Sequence, residues 1–139
     1  MRAFIFGSLA LLLIVSSVAW AQDAQKPPDA VAIISSQLDA FAHDDAKAAF
    51  GFAAPPIQSR FSSPEAFLAM VKSVYPAVYR HRSVQFGKQA RQGDEIEQGV
   101  VFVDADNVVW GGVYTLARQS DGGWKIIGCV IARSTETSL

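Results

Sequence analysis

One cysteine, two histidines and two methionines in 139 residues leave little from which to build a redox or metal site. With no CxxC pair a dithiol redox centre is excluded, and His43 and His81 lack the paired spacing that holds a metal ion. No glycine-rich phosphate loop and no G-x-S-x-G nucleophile turn occurs. Charge is scarce and balanced, 18% of residues with a net charge of −1, so there is no basic stripe for nucleic acid or an anionic membrane surface. A single cysteine also excludes an internal disulfide framework, so the fold must be held by its apolar core, which half of the residues can supply. No cofactor and no metal is expected.

What is present begins with an export signal. MRAFIFGSLALLLIVSSVAWA has a positive start at Arg2, an apolar run from about Phe4 to Val15, and small residues ending in Ala19-Trp20-Ala21. The apolar core of about a dozen residues is short of the roughly 20 that a spanning helix needs. Residues 1–21 therefore read as a cleaved signal peptide. The mature protein is expected to be periplasmic or secreted, without stable membrane insertion. Gln22 to Pro28 is a polar linker ending in two prolines, residues 29–133 form one domain, and 134–139 form a polar tail.

The domain divides by hydrophobic period. Asp29 can cap a helix whose face is Val31, Ile34, Leu38 and Phe41. A shorter second helix follows Asp44 or Asp45, carries Ala46, Ala49, Phe50 and Ala53, and is stopped by Pro55-Pro56. SSPE at 62–65 supplies a serine cap, a first-turn proline and a capping-box glutamate for a third helix, with Phe67, Val71, Val74, Tyr75 and Val78 as its buried stripe. Pro76 should kink or end it. From Ser83 the period becomes two, with strands expected at 83–91, 96–104, 108–118 and 124–133. Turns this short cannot carry crossovers, so the strands form an antiparallel meander. The fold class is α+β: three N-terminal helices packed on a curved four-stranded sheet.

The last strands are apolar on both faces. Trp124, Ile126, Gly128 and Val130 alternate with Ile127, Cys129 and Ile131, and Val108, Trp110, Tyr114 and Leu116 alternate with Val109, Val113 and Ala117. One helical layer covers one face only, so the other calls for a partner, and a homodimer is expected. Cys129 then falls between packed layers as a buried structural thiol.

The run QLDAFAHDDAKAAFGFAAPPIQSRF, then PEAFLAMVKSVYPAVYR and the final GWKIIGC, resembles the uncharacterised bacterial family catalogued as domain of unknown function 4864, within the nuclear transport factor 2-like superfamily of cone-shaped α+β folds. The resemblance implies a cavity between sheet and helices and supplies no catalytic residue.

Candidate chemistry is sparse. Ketosteroid isomerase, in the wider superfamily, pairs an aspartate base with a tyrosine and a protonated acid. Here Phe41 stands in the first helix, and Asp94, Asp104, Asp106 and Asp121 fall in turns; Asp39 and Asp44 read as helix surface and cap. DADN at 104–107 is a hairpin turn without the glycine and glutamate of a calcium loop. No catalytic residue is assigned. Tyr75, Tyr79, Trp110 and Tyr114 could line a pocket as apolar bodies with polar tips, or could be ordinary core aromatics. Arg80 and Arg82 could receive an anionic group at its mouth, or could be cations placed near a helix carboxyl end. Three functions stay open: a non-catalytic module for a small apolar or weakly anionic ligand, a small isomerase- or hydrolase-type enzyme, and a structural or partner-binding protein. The first is preferred because no proton-transfer pair is legible.

The signal reading predicts that exported protein has an intact mass beginning at Gln22. Retention of Met1 in exported material would contradict it.

Overall fold

Residues 29 to 135 are described in the computed structural model of the chain. The expected signal segment and linker, and most of the polar tail, lie outside them.

Helix α1 (Ala30–Ala42) begins where Asp29 accepts a hydrogen bond from the Ala32 amide at 3.0 Å. Its buried face is Ala30, Ile34, Gln37, Leu38 and Phe41, with Gln37 the polar member of an otherwise apolar stripe. The chain then turns through Asp44 in the left-handed region, φ 55°, and Asp45 caps α2 (Ala46–Gly51) from Ala48 at 3.0 Å. The helices ahead of Pro55 and Pro76 end before them as expected, and each proline in addition opens a single helical turn, α3 (Pro55–Gln58) and α5 (Pro76–Tyr79). Proline fits the first helical position because its missing N–H would have no partner there anyway. Between them α4 (Pro64–Val74) is capped by Ser63, which accepts from Ala66 at 3.1 Å. With Ser63 rather than Ser62 at the cap, Glu65 sits in the first turn and forms no reciprocal capping bond. Val74, expected in the buried stripe of this helix, is 60% exposed. The helix stops there as Tyr75 leaves helical geometry, and burial passes to Phe67, Leu68 and Val71.

The strands are β1 (Ser83–Gln92), β2 (Glu95–Val103), β3 (Val109–Arg118) and β4 (Trp124–Arg133), an antiparallel sheet in the order β1-β2-β3-β4. Phe67 joins the helices, packing its ring against Phe41, Phe50 and Phe61 with centroids 6.0, 5.4 and 5.4 Å away. The inner face of the sheet adds Ile96, Val100, Phe102, Tyr114, Leu116 and Ile126 to this core.

Two bulges curve the sheet. On β1, Gly87 and Lys88 together face Gly99, and the buried Gln98 holds the bulge by donating from Nε2 to the Gly87 and Gly99 carbonyls, 3.0 Å each. On β4, Thr115 pairs with Gly128 but Leu116 pairs with Ile126, which leaves Ile127 as the extra residue. Gly112 lets β4 come close: a Cβ there would stand 2.3 Å from the Val130 carbonyl oxygen.

The β4 bulge corrects the alternation read from the sequence. Ile126 faces inward at 3% exposure, yet Val130, expected on the same side, is 75% exposed, while Cys129 lies inside opposite Tyr114. The extra residue reverses which parity points to the core. Outside the sheet Val101, Val109, Val113 and Val130 remain exposed.

The free edge of β4 is partly covered by the segment before α3. Ala54 donates to the Ile126 carbonyl at 2.8 Å, Ile126 donates to the Phe52 carbonyl at 2.9 Å, and Ala53 bridges Ile126 in parallel. Residues 52 to 61 thus form a strap tied to the sheet at Ile126.

Candidate functional site

Beneath the strap, helices and sheet line a half-open cavity of about 260 Å³. Gln37 and Phe41 of α1 reach it from one side and Phe67, Met70 and Val71 of α4 from another. The strap contributes Ala53, Ile57, Arg60 and Phe61. From the sheet come Tyr114 on β3 and Ile126 to Cys129 on β4, where the bulge turns Ile127 and Cys129 both toward the cavity. The wall is mainly apolar, and its volume lies just below the ~300–1,000 Å³ usual for sites that take drug-sized ligands. Space is available for one ring or a short chain.

Polar groups in the wall are few. The Gln37 side chain donates from Nε2 to the Ala49 carbonyl at 3.1 Å. A carbonyl partner fixes the amide orientation, so the side-chain oxygen is the end left over, and it takes no hydrogen bond among the described residues. Tyr114 is 1% exposed, and its hydroxyl has no hydrogen-bond partner among the described residues. The Cys129 thiol lies beside it, but a thiol is a weak donor and acceptor and does not satisfy the hydroxyl. Burial pushes the Tyr114 hydroxyl well above its ordinary pKa, and burial pushes the Cys129 thiol up to about 12. Both are neutral at pH 7. Cys129, expected as an inert thiol between packed layers, is a half-buried part of the cavity wall.

Of the six pocket candidates, Tyr75 and Tyr114 line this cavity. The other four are engaged elsewhere. The Tyr79 hydroxyl donates to Asp44. The Arg80 guanidinium lies 3.9 Å from the Tyr79 ring centroid, donates to the Phe41 carbonyl at 2.6 Å and pairs with Asp44 at 3.2 Å. With Lys72, 3.2 Å from Asp44, these groups latch the α1–α2 turn to α4 and α5. The Tyr79 bond first, then Lys72, holds the Asp44 carboxyl below its usual pKa. Arg82 donates to Asn107 in the β2–β3 turn. Trp110 donates from Nε1 to Asp104 at 2.8 Å, and Asp104 also accepts from the Asp106 and Val108 amides at 2.9 Å each. The Asp104 carboxylate of DADN therefore shapes a turn. Among the described residues no group of three or more His, Cys, Asp or Glu side chains could hold a metal ion, and no helix is long and apolar enough to cross a membrane.

Gln37 and Arg60 were absent from the candidates read in the sequence. Gln37 had a legible signal, since it falls at helical spacing with Ile34, Leu38 and Phe41 and puts an amide in a core stripe. Arg60 had none, because only the strap geometry brings it to the cavity.

Residues 23–139 match the model of the family described as Domain of unknown function (DUF4864). Among solved structures, an NTF-2 like protein of unknown function from Silicibacter pomeroyi superposes with a TM-score of 0.50 at 18% identity, covering 75% of this chain and 92% of that one. A putative calcium/calmodulin-dependent protein kinase type II association domain from Thiobacillus denitrificans superposes at 0.55 with 15% identity, covering 79% of this chain and 100% of that one. At these identities the shared property is the NTF2-like fold. No curated protein matches the chain.

The isolated hydroxyl sets a prediction. A buried hydroxyl without a partner costs about 1–3 kcal/mol, and removing it leaves the ring packing intact. Tyr114→Phe should therefore raise the stability of the unliganded protein by about 1 kcal/mol or more in urea unfolding at pH 7. A destabilised variant would mean that the hydroxyl is satisfied in the native protein.

Proposed function

We propose that this protein, which belongs to the family described as Domain of unknown function (DUF4864), is an exported module that holds a small apolar or weakly anionic molecule in the cavity under its strap. The observation that carries the reading is the Tyr114 hydroxyl, buried without a partner in an apolar wall. A group that loses stability in the empty protein regains it when a ligand supplies the missing hydrogen bond. Binding is favoured over proton-transfer chemistry because no carboxylate and no imidazole lines the cavity among the described residues, and the Cys129 thiol there stays neutral. Export is supported by the apolar run and the Ala19-Trp20-Ala21 site at the start of the chain.

The mature protein should bind by mass action. A ligand at a hundredfold its Kd adds about 2.7 kcal/mol, which raises the melting temperature of a domain this size by roughly 10 °C. A thermal-shift screen of small aromatic and short-chain compounds, neutral and acidic, should find stabilisers whose effect shrinks in Tyr114→Phe. If none stabilises the wild type, the binding reading fails.

The same reading includes a homodimer built on the outer sheet face. Val113 and Val130 are register partners, Val101 lies one strand over beside Gly111, and all three are exposed in the single chain. Ile127, which the sequence pattern grouped away from Val130, belongs to the cavity and not to this face. Light scattering at micromolar concentration should give a dimer mass for the wild type and a folded monomer for Val130→Lys, since an unpaired charge is costly to bury in an apolar interface. A monomeric wild type would exclude the dimer.

A further inference from the structure

We infer that the molecule held in this cavity is a small organic anion carrying a hydroxyl, with its charge on Arg60 at the mouth and its hydroxyl against Tyr114 and Gln37 inside. The inference rests on the binding reading above and names the class of ligand.

The first support is the charge arrangement of the lining. Among the described residues, Arg60 is the one charged side chain in it. Among the six arginines of the described residues, five have their guanidinium engaged. Arg80 pairs with Asp44, Arg82 donates to Asn107, Arg118 pairs with Asp94, Arg91 donates to Gly93, and Arg133 lies over the Trp110 ring. The Arg60 guanidinium has no hydrogen bond, ion pair or ring contact among the described residues. A fork of donors beside an apolar hollow that contains no negative charge attracts an anion, and its planar geometry matches a carboxylate with two parallel bonds.

The second support lies inside. The Gln37 oxygen is an acceptor, and the Tyr114 hydroxyl both donates and accepts. A ligand hydroxyl carries both the donor that the first can take and the acceptor that the second can use. A ligand carbonyl would satisfy Tyr114 alone. Phe61, Phe67, Met70 and Ile127 supply apolar wall in the same cavity, which has room for one ring or a short chain. Cation at the rim, apolar walls and neutral polar groups within together describe the complement of a small hydroxy acid.

The test uses matched probes on the mature protein: 4-hydroxyphenylacetate, its neutral amide 4-hydroxyphenylacetamide, and phenylacetate, titrated by calorimetry. The hydroxy acid should bind about tenfold more tightly than the amide, a modest factor because Arg60 is exposed and its charge is screened. That preference should disappear in Arg60→Gln, an exposed substitution whose unliganded melting temperature should match the wild type. Phenylacetate should bind several-fold more weakly than the hydroxy acid, with the difference reduced in Tyr114→Phe, where the Gln37 acceptor remains. An amide that binds as tightly as the acid, or an acid preference retained in Arg60→Gln, overturns the anion assignment and leaves the cavity reading standing. If phenylacetate matches the hydroxy acid, the hydroxyl assignment falls. If none of the three binds the wild type, the inference fails, and the broader screen decides separately whether the cavity binds anything.

Discussion

The extra residue at Ile127 is the constraint on which the site depends. In a regular strand Ile126, Gly128 and Val130 would face the core together, and Cys129 would face outward. The bulge lets Ile126, Ile127 and Cys129 all serve the cavity and sends Val130 to the outer surface. At the same point both backbone groups of Ile126 bond the strap, through the Phe52 carbonyl and the Ala54 amide. A local irregularity in one edge strand therefore sets the sheet side of the cavity, the attachment of its cover and the composition of the opposite face. Gly112 makes the arrangement sterically possible by leaving room for the Val130 carbonyl.

Core and cavity are continuous, so stability and function compete within the same residues. The rings clustered around Phe67 hold α1, α2 and the strap together, and Phe41, Phe61 and Phe67 also line the cavity. A well-packed interior keeps few voids larger than a water molecule. A half-open hollow with an unsatisfied hydroxyl in its wall departs from that norm, and such departures concentrate at functional sites. The Asp44 latch lies away from the cavity and holds the α1–α2 turn against α4 and α5 through Tyr79, Lys72 and Arg80. Its contribution accompanies the ionised carboxylate. Because the Asp44 pKa is lowered in the folded protein, that contribution is present above the ordinary aspartate pKa and is lost as pH falls through the lowered value.

The secondary structure was legible because it is local. Asp29, Asp45 and Ser63 cap their helices as side chains that satisfy the next amides, and all four strands end within one residue of the expected positions. The prolines were harder to read, since the same residue stops one helix and starts the next turn. Aromatic residues near the third helix and on β3 could be singled out, but their partners could not. Tyr79, Arg80, Arg82 and Trp110 have the same chemistry as the cavity residues, and only the tertiary structure places them away from this cavity, in contact with Asp44, Phe41, Asn107 and Asp104.

The α+β order of elements, the antiparallel meander and the apolar character of both sheet faces follow from residue order alone, because period, caps and turn length act over a few neighbouring residues. Tertiary structure alone decided which of those apolar residues face the cavity. A one-residue bulge reverses strand parity without disturbing composition, and a strap closed by two backbone hydrogen bonds carries Arg60 to a site far from it in sequence. Backbone hydrogen bonds of that kind involve groups that every residue possesses, so they leave no signature in the order of the side chains.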